Sequence, residues 1–242
     1  MSWNRVAGIA ADFWNRVGST PGFPRNLDDA IPLALPAIVV SAPHVTVRAM
    51  TEFLESYAPD IAVPADADGA MGYTIALHGQ VFLFVSDEDG PEERRFTLAH
   101  ELGHALWHYF IPRDRIVASL GPAAAQVLDG TRESTVAETA ASVLAGVHFG
   151  AYEHILPRVR SDVDRQESDV DKLAVELVAP QAAIAEIISA SEWRQTPRLG
   201  RAQLLAARFG IPASHFDRVL GYDLPEGRDF VAGLARAVRT RS

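Results

Sequence analysis

The chain has no cysteine among its 242 residues, so disulfides and thiolate-held metals are excluded and any metal must be bound by His, Asp and Glu. Long apolar runs are also lacking. The most continuous, IPLALPAIVV at residues 31–40, is ten residues long and carries two prolines, too short and too broken to cross a bilayer. The N-terminal stretch MSWNRVAGIAADFWNRVGS has no basic head, apolar centre and small-residue cleavage site. A cytoplasmic protein without a membrane segment is therefore expected. Positive charge is in deficit, with 22 Lys and Arg against 31 Asp and Glu and a net charge of -9. The overall field repels nucleic acid. Internal repeats and low-complexity tracts are missing too. What is present, 48% hydrophobic and 22% charged residues, suits a soluble protein with one large core or two smaller ones.

The most informative stretch is PEERRFTLAHELGHALWHYF, residues 91–110. Pro91 suits a first helical position, Glu92 and Glu93 complement the positive end of the helix dipole, and Phe96, Leu98, Ala99, Leu102, Ala105 and Leu106 supply an apolar surface. Pro112 is expected to stop this helix after Phe110. Within it, His100-Glu101-Leu102-Gly103-His104 puts two imidazoles four residues apart on one face, with Glu101 one step round. This HExxH pattern predicts a zinc site: His100 and His104 as ligands and Glu101 as the general base beside the ion's open position. Manganese suits the same donor types.

The rest of the chain is mainly helical. Residues 2–17 have helical apolar spacing, residues 20–36 contain four prolines and read as a loop, 37–41 as a short buried strand and 46–57 as a helix. An acidic link at 58–70 lacks the closing glutamate of a calcium loop and reads as a solvated turn. GYTIALH and QVFLFVS then form a hairpin turning at His78-Gly79, which leads into the HExxH helix. In zinc proteases such an antiparallel strand can line the cleft and pair with a peptide. Thr135 and Glu138 form a capping box for the next helix, 158–166 is a charged approach, and helices follow at 169–177 and 181–190. The tail pairs 202–209 with 214–220 across Gly210-Ile211-Pro212, in the manner of a helix-turn-helix. Its second helix offers only Arg218 as a strong base reader, so direct DNA binding is not expected.

Position 110, where a third histidine would complete an HExxHxxGxxH pattern, is Phe110, so the third ligand has to come from elsewhere. Glu167, Asp169 and Glu176 are the acidic candidates before ELVAP. Asp169 and Glu176, seven apart, share a helix face, whereas Glu167 projects in another direction; spacing alone does not choose among them. Tyr109, His108, His148 and His154 are candidate donors to a developing oxyanion.

RFTLAHELGHALWH at 95–108 and ESDVDKLAVELVAP at 167–180 resemble the ImmA/IrrE family of metallo-endopeptidases, whose motifs read RFTLAHELGHxxLH and ExEAxxxAAELLMP. The resemblance runs over residues 82–180 and extends weakly into LLAARFGIPASHFDRVL at 204–220. It implies Asp169 as the third ligand, with Glu167 as the alternative. The chain departs from the pattern in having aspartate for glutamate and Val170 for alanine. The long gap after His104 implies an inserted helical segment at 113–160. The implied substrate is a helix-turn-helix transcriptional repressor, cleaved in a stress response. The alternative is a non-catalytic, metal-containing regulatory protein that contacts a repressor or DNA.

The expected fold is α+β: a zincin-like core with a small antiparallel sheet, the active-site helix and additional helices. Residues 1–65 would form a helical and irregular segment packed on the core, 66–185 the peptidase core, and 186–242 the helix-turn-helix-like tail.

Overall fold

The computed structural model describes residues 2–19, 21–55, 57, 71–145, 154–155, 163–189, 193, 195 and 197–220. The acidic link expected at 58–70 and His148 lie outside them. The described elements are mostly helical, with one small sheet. In chain order they are α1 (Trp3–Val17), α2 (Leu27–Ala34), β1 (Ala37–Ala42), α3 (Val47–Leu54), β2 (Gly72–Leu77), β3 (Gln80–Ser86) and α4 (Pro91–His104). A π-helical segment (Ala105–Phe110) leads to α5 (Ile111–Leu120), α6 (Ala124–Leu128), α7 (Val136–Ala145), β4 (His154–Ile155), α8 (Val163–Val178), α9 (Gln181–Ser189), α10 (Arg198–Phe209) and α11 (Ala213–Leu220). This mixed α+β architecture is that of a zincin-like domain. The chain divides into two compact units, one of residues 1–34, 89–100 and 164–242 and the other of 35–88 and 101–163.

The second unit holds the sheet, whose strand order is β1-β3-β2-β4. Three strands are full length and β4 adds two residues against Ile75 and Ala76. The hairpin is antiparallel, with Ile75 opposite Phe82 and Tyr73 opposite Phe84. It turns on His78 at φ 49 and Gly79 at φ 80, the left-handed pair that a two-residue hairpin requires. The sheet is not wholly antiparallel. β1 pairs parallel to β3, because the chain returns through α3 before entering the hairpin. All six residues of β2 are buried, which is why GYTIAL reads as a continuous run rather than an alternation. One face presents Tyr73, Ile75, Leu77, Phe82 and Phe84 to Met50 and Leu54 of α3. Alternation sends Thr74 to the other face, opposite Leu83.

Two expectations give way here. The proline-rich span at 20–36 contains helix α2, because Asn26 caps it: its Oδ1 accepts from the Asp29 backbone N–H at 3.4 Å, its side-chain amide donates to Asp29 Oδ2 at 2.7 Å, and Asp28 and Asp29 lie in the first turn. Pro112 does not end the helical path. The π-helical turn Ala105–Phe110 widens the backbone register, and α5 restarts with Pro112 in its first positions, where a missing N–H costs little. The inserted segment expected to be helical at 113–160 is helical over its described part up to Ala145, carries strand β4 at His154–Ile155, and otherwise lies outside the described residues. The capping box forms, with Thr135 N–H donating to Glu138 at 2.9 Å and Glu138 N–H to Thr135 Oγ1 at 3.2 Å.

The first unit is helical. Trp3, Val6, Ala10, Phe13 and Trp14 make the buried stripe of α1. Val170, Leu173, Ala174 and Leu177 make that of α8, each with no exposed surface. The last turn of α8 is tied down by two donors to one carbonyl: Trp14 Nε1 at 3.0 Å and Arg25 Nη1 at 2.6 Å both reach Leu177 O. The α10–α11 pair joins through Gly210 at φ 65, and Phe209, Ile211 and Phe216 are fully buried. The tail also contacts α4, through Arg95 Nη1 donating to Gly210 O and His215 stacked on Phe96.

Candidate metal centre

Helix α4 carries His100 and His104 one turn apart, so their rings leave the helix on the same side. Helix α8 begins at Val163, six residues earlier than its apolar pattern suggests, and this places Glu167 and Asp171 on helical backbone four residues apart. Both acids reach His100. Its Nε2 is 3.1 Å from Glu167 Oε2 and its Nδ1 is 3.0 Å from Asp171 Oδ1. One ring is thus held between two carboxylates. Its side chain is 19% exposed, so the ring is largely sheltered from solvent.

Among the described residues, His100, His104 and Glu167 form a donor group whose ligand atoms all lie within 4.8 Å of one another. Two ligand atoms on a tetrahedral ion with bonds of about 2.0–2.1 Å are about 3.3 Å apart, so the 3.1 Å between His100 Nε2 and Glu167 Oε2 fits a shared metal. Asp171 is placed differently, at Nδ1 rather than Nε2, where a carboxylate accepting an Nδ1–H would set the ring tautomer whose Nε2 carries the ligating lone pair. Asp169 is not part of the donor group. At 100° per residue it leaves α8 about 200° round from Glu167, and its carboxylate accepts from Lys172 Nζ at 3.3 Å. Glu176, on that same far side, accepts from the Gln181 amide at 3.0 Å and so caps α9. Burial pushes its carboxyl up to about 7, against the opposing effects of the Gln181 bond and Arg25.

Glu101 is buried at 6% exposure and is held by the sheet. The Thr74 hydroxyl on β2 lies 2.6 Å from Glu101 Oε2 and 3.0 Å from Glu101 O. These two bonds fix the position of the Glu101 carboxylate against β2. Thr74 and Asp171 were not among the residues that the sequence singled out. The available signals were a lone hydroxyl in a strand buried on both faces and an acid four residues beyond another acid.

Comparison with known protein families matches residues 64–220 to the IrrE N-terminal-like domain, a peptidase family. The chain belongs to the IrrE N-terminal-like peptidase family. Comparisons with curated proteins and with solved structures return no match. The IrrE-like match spans more than half of the chain, including both α4 and α8, and identifies a metallopeptidase in general terms. The His-His-Glu donor group gives this IrrE-like domain a place to hold its metal. Of the oxyanion candidates, Tyr109 is 2% exposed and packs edge-on against Phe110 at 5.1 Å, while His108 stacks on His104 at 5.6 Å. His154 lies on β4. Among the described residues no helix is long and apolar enough to cross a membrane.

Proposed function

We propose that the chain is a zinc-dependent endopeptidase of the HExxH type, with His100, His104 and Glu167 as the metal ligands and Glu101 as the general base. The observation that carries this reading is the convergence of His100, His104 and Glu167 on one point, with Glu101 on the same helix. The ion would supply Lewis acidity, polarising a peptide carbonyl and acidifying the attacking water. Glu101 takes the proton from that water through Oε1 and hands it to the leaving nitrogen, and the Thr74 hydroxyl at Oε2 keeps the carboxylate turned towards the reacting group. Asp171 holds the His100 ring. The choice of Glu167 over Asp169 as third ligand rests on its 3.1 Å approach to His100.

The substrate is a protein of regulatory kind, a helix-turn-helix repressor in the cytoplasm; this extension rests on the resemblance of the two motifs and on kinship alone. Replacing Glu101 by Gln tests the enzyme. Cleavage of a denatured protein or peptide library should fall by about 10²–10⁴-fold with metal content unchanged. An unaltered cleavage rate would remove Glu101 from the mechanism.

A further inference from the structure

Apart from the metal centre, the helical unit contains a second concavity. The segment leading into α2 and the first two turns of α4 enclose a volume of about 280 Å3, whose polar lining is Arg25, Asn26, Asp28, Arg94 and Arg95. Three guanidinium groups face one carboxylate. Asp28 engages Arg94, accepting both arms of its fork at 2.8 and 2.9 Å. Arg25 and Arg95 instead donate to backbone carbonyls, Leu177 O and Gly210 O, which carry no charge. Glu176 also acts electrostatically on Arg25, and burial holds its carboxyl up to about 7. The lining therefore carries an excess of more than one positive charge.

A second observation points the same way. Arg25 is 5% exposed and its Nε is buried without a hydrogen-bond partner among the described residues. A cationic donor in that position is costly unless an anion compensates it. Burial draws the guanidinium down to about 10 against the opposing effect of Glu176, and the group lies over the Trp14 ring at 4.5 Å and the Phe23 ring at 5.1 Å. A monocarboxylate is already present in Asp28 and satisfies one fork; the remaining excess suits a group with two charges and acceptors on several sides. The volume is at the lower end of small-molecule sites and equals roughly nine water molecules, room for a phosphate and a short carbon skeleton but not for a nucleotide.

We propose that this cavity binds a dianionic phosphate group, either inorganic phosphate or a small phosphate monoester, with Arg25, Arg94 and Arg95 as its receptors. The site uses none of the metal centre's residues, and Arg95 lies on the same helix as His100.

Isothermal titration calorimetry on the full chain, kept metal-free with chelator and at fixed chloride ionic strength, tests it. The probes are inorganic phosphate, glycerol 3-phosphate and acetate. Saturable binding of a phosphate probe is expected, weakened about tenfold or more by Arg95→Gln and unchanged by Glu167→Ala, which separates this site from the metal centre. Tighter binding of glycerol 3-phosphate assigns an ester, and tighter binding of inorganic phosphate assigns the free ion. If Arg95→Gln unfolds, by its lowered unfolding midpoint, Arg94→Gln serves as the deciding variant with the same expectation. No saturable phosphate binding, acetate bound as tightly as phosphate, or affinity unmoved by the arginine substitution overturns the proposal.

Discussion

Three acids on α8 make different demands on one measurement, metal affinity. If Glu167 completes the donor group, Glu167→Ala leaves two imidazoles for the ion, whereas Asp171→Ala leaves all ligands but removes the acceptor that orients His100 at 3.0 Å. Loss of such an orienting partner ordinarily weakens metal binding about 10–100-fold, so loss of the ligand itself should exceed about 100-fold. Asp169 sets the baseline. It sits on the far side of a helix roughly 10 Å across, and one unit charge at that distance in water contributes about 0.4 kcal/mol, close to a factor of two in affinity. The expected order is therefore Glu167→Ala far weaker than Asp171→Ala, with Asp169→Ala within about threefold of wild type by the same Coulomb argument. Competition against a chromophoric zinc chelator, starting from apo protein, reads all three dissociation constants. Zinc lost from Asp169→Ala but kept by Glu167→Ala would refute the α8 register on which the assignment depends.

Other consequences concern the base, the buried carboxyl and the tail. Thr74→Val removes the hydroxyl 2.6 Å from Glu101 Oε2 and should lower kcat about tenfold or more while metal content, read by elemental mass spectrometry, stays the same. Glu176 has its folded value raised from 4.5 to about 7, so its contribution to stability is fully present below pH 4.5 and is lost as pH rises through 7. The shift corresponds to about 3 kcal/mol. Urea denaturation of the metal-free protein at pH 5 and pH 8 should show wild type losing more stability than Glu176→Gln over that interval; parallel losses would count against a buried, neutralised carboxyl. Gly210 sits at φ 65 with Pro24 Cβ 2.9 Å from where its own Cβ would be, so Gly210→Ala should cost roughly 1–2 kcal/mol from the left-handed backbone alone, with more from the contact. The urea midpoint measures it.

Local chemistry and tertiary placement were unequally legible. The HExxH helix, the His78-Gly79 hairpin, the Thr135–Glu138 capping box and the Gly210 turn each depend on residues within a few positions of one another, and each is written in the sequence in just that form. The start of α8 is not. Residues before Asp169 are charged and lack an apolar stripe, so periodicity places the helix too late and leaves Glu167 off it; yet Val163–Val178 is continuous helix, anchored at its far end by Trp14 and Arg25 on Leu177 O. Those anchors come from residues more than 150 positions away, beyond any local pattern. The choice among the acids is hidden for the same reason: counting by sevens groups Asp169 with Glu176 correctly, but whether that face or the Glu167–Asp171 face meets α4 is decided by where the apolar side of α8 packs.

The continuation of α4 through Pro112 shows how a local rule is overridden where function is dense. An α-helix running straight into Pro112 would bring the ring against the carbonyl at position 108 and leave that carbonyl without its donor. The π-helical turn removes the conflict by widening the register ahead of the proline, so that α5 begins with Pro112 where no N–H is needed. The same turn carries His108, whose ring stacks on His104 at 5.6 Å and 24°. A straight helix would also place the two four residues apart, but its backbone would have to end or kink within the next turn, directly under a histidine of the donor group. Placing the irregularity at Ala105–Phe110, where Ala105, Leu106, Tyr109 and Phe110 are buried, fixes it in the core and keeps the backbone under His104 in regular helical geometry, φ -59 and ψ -49.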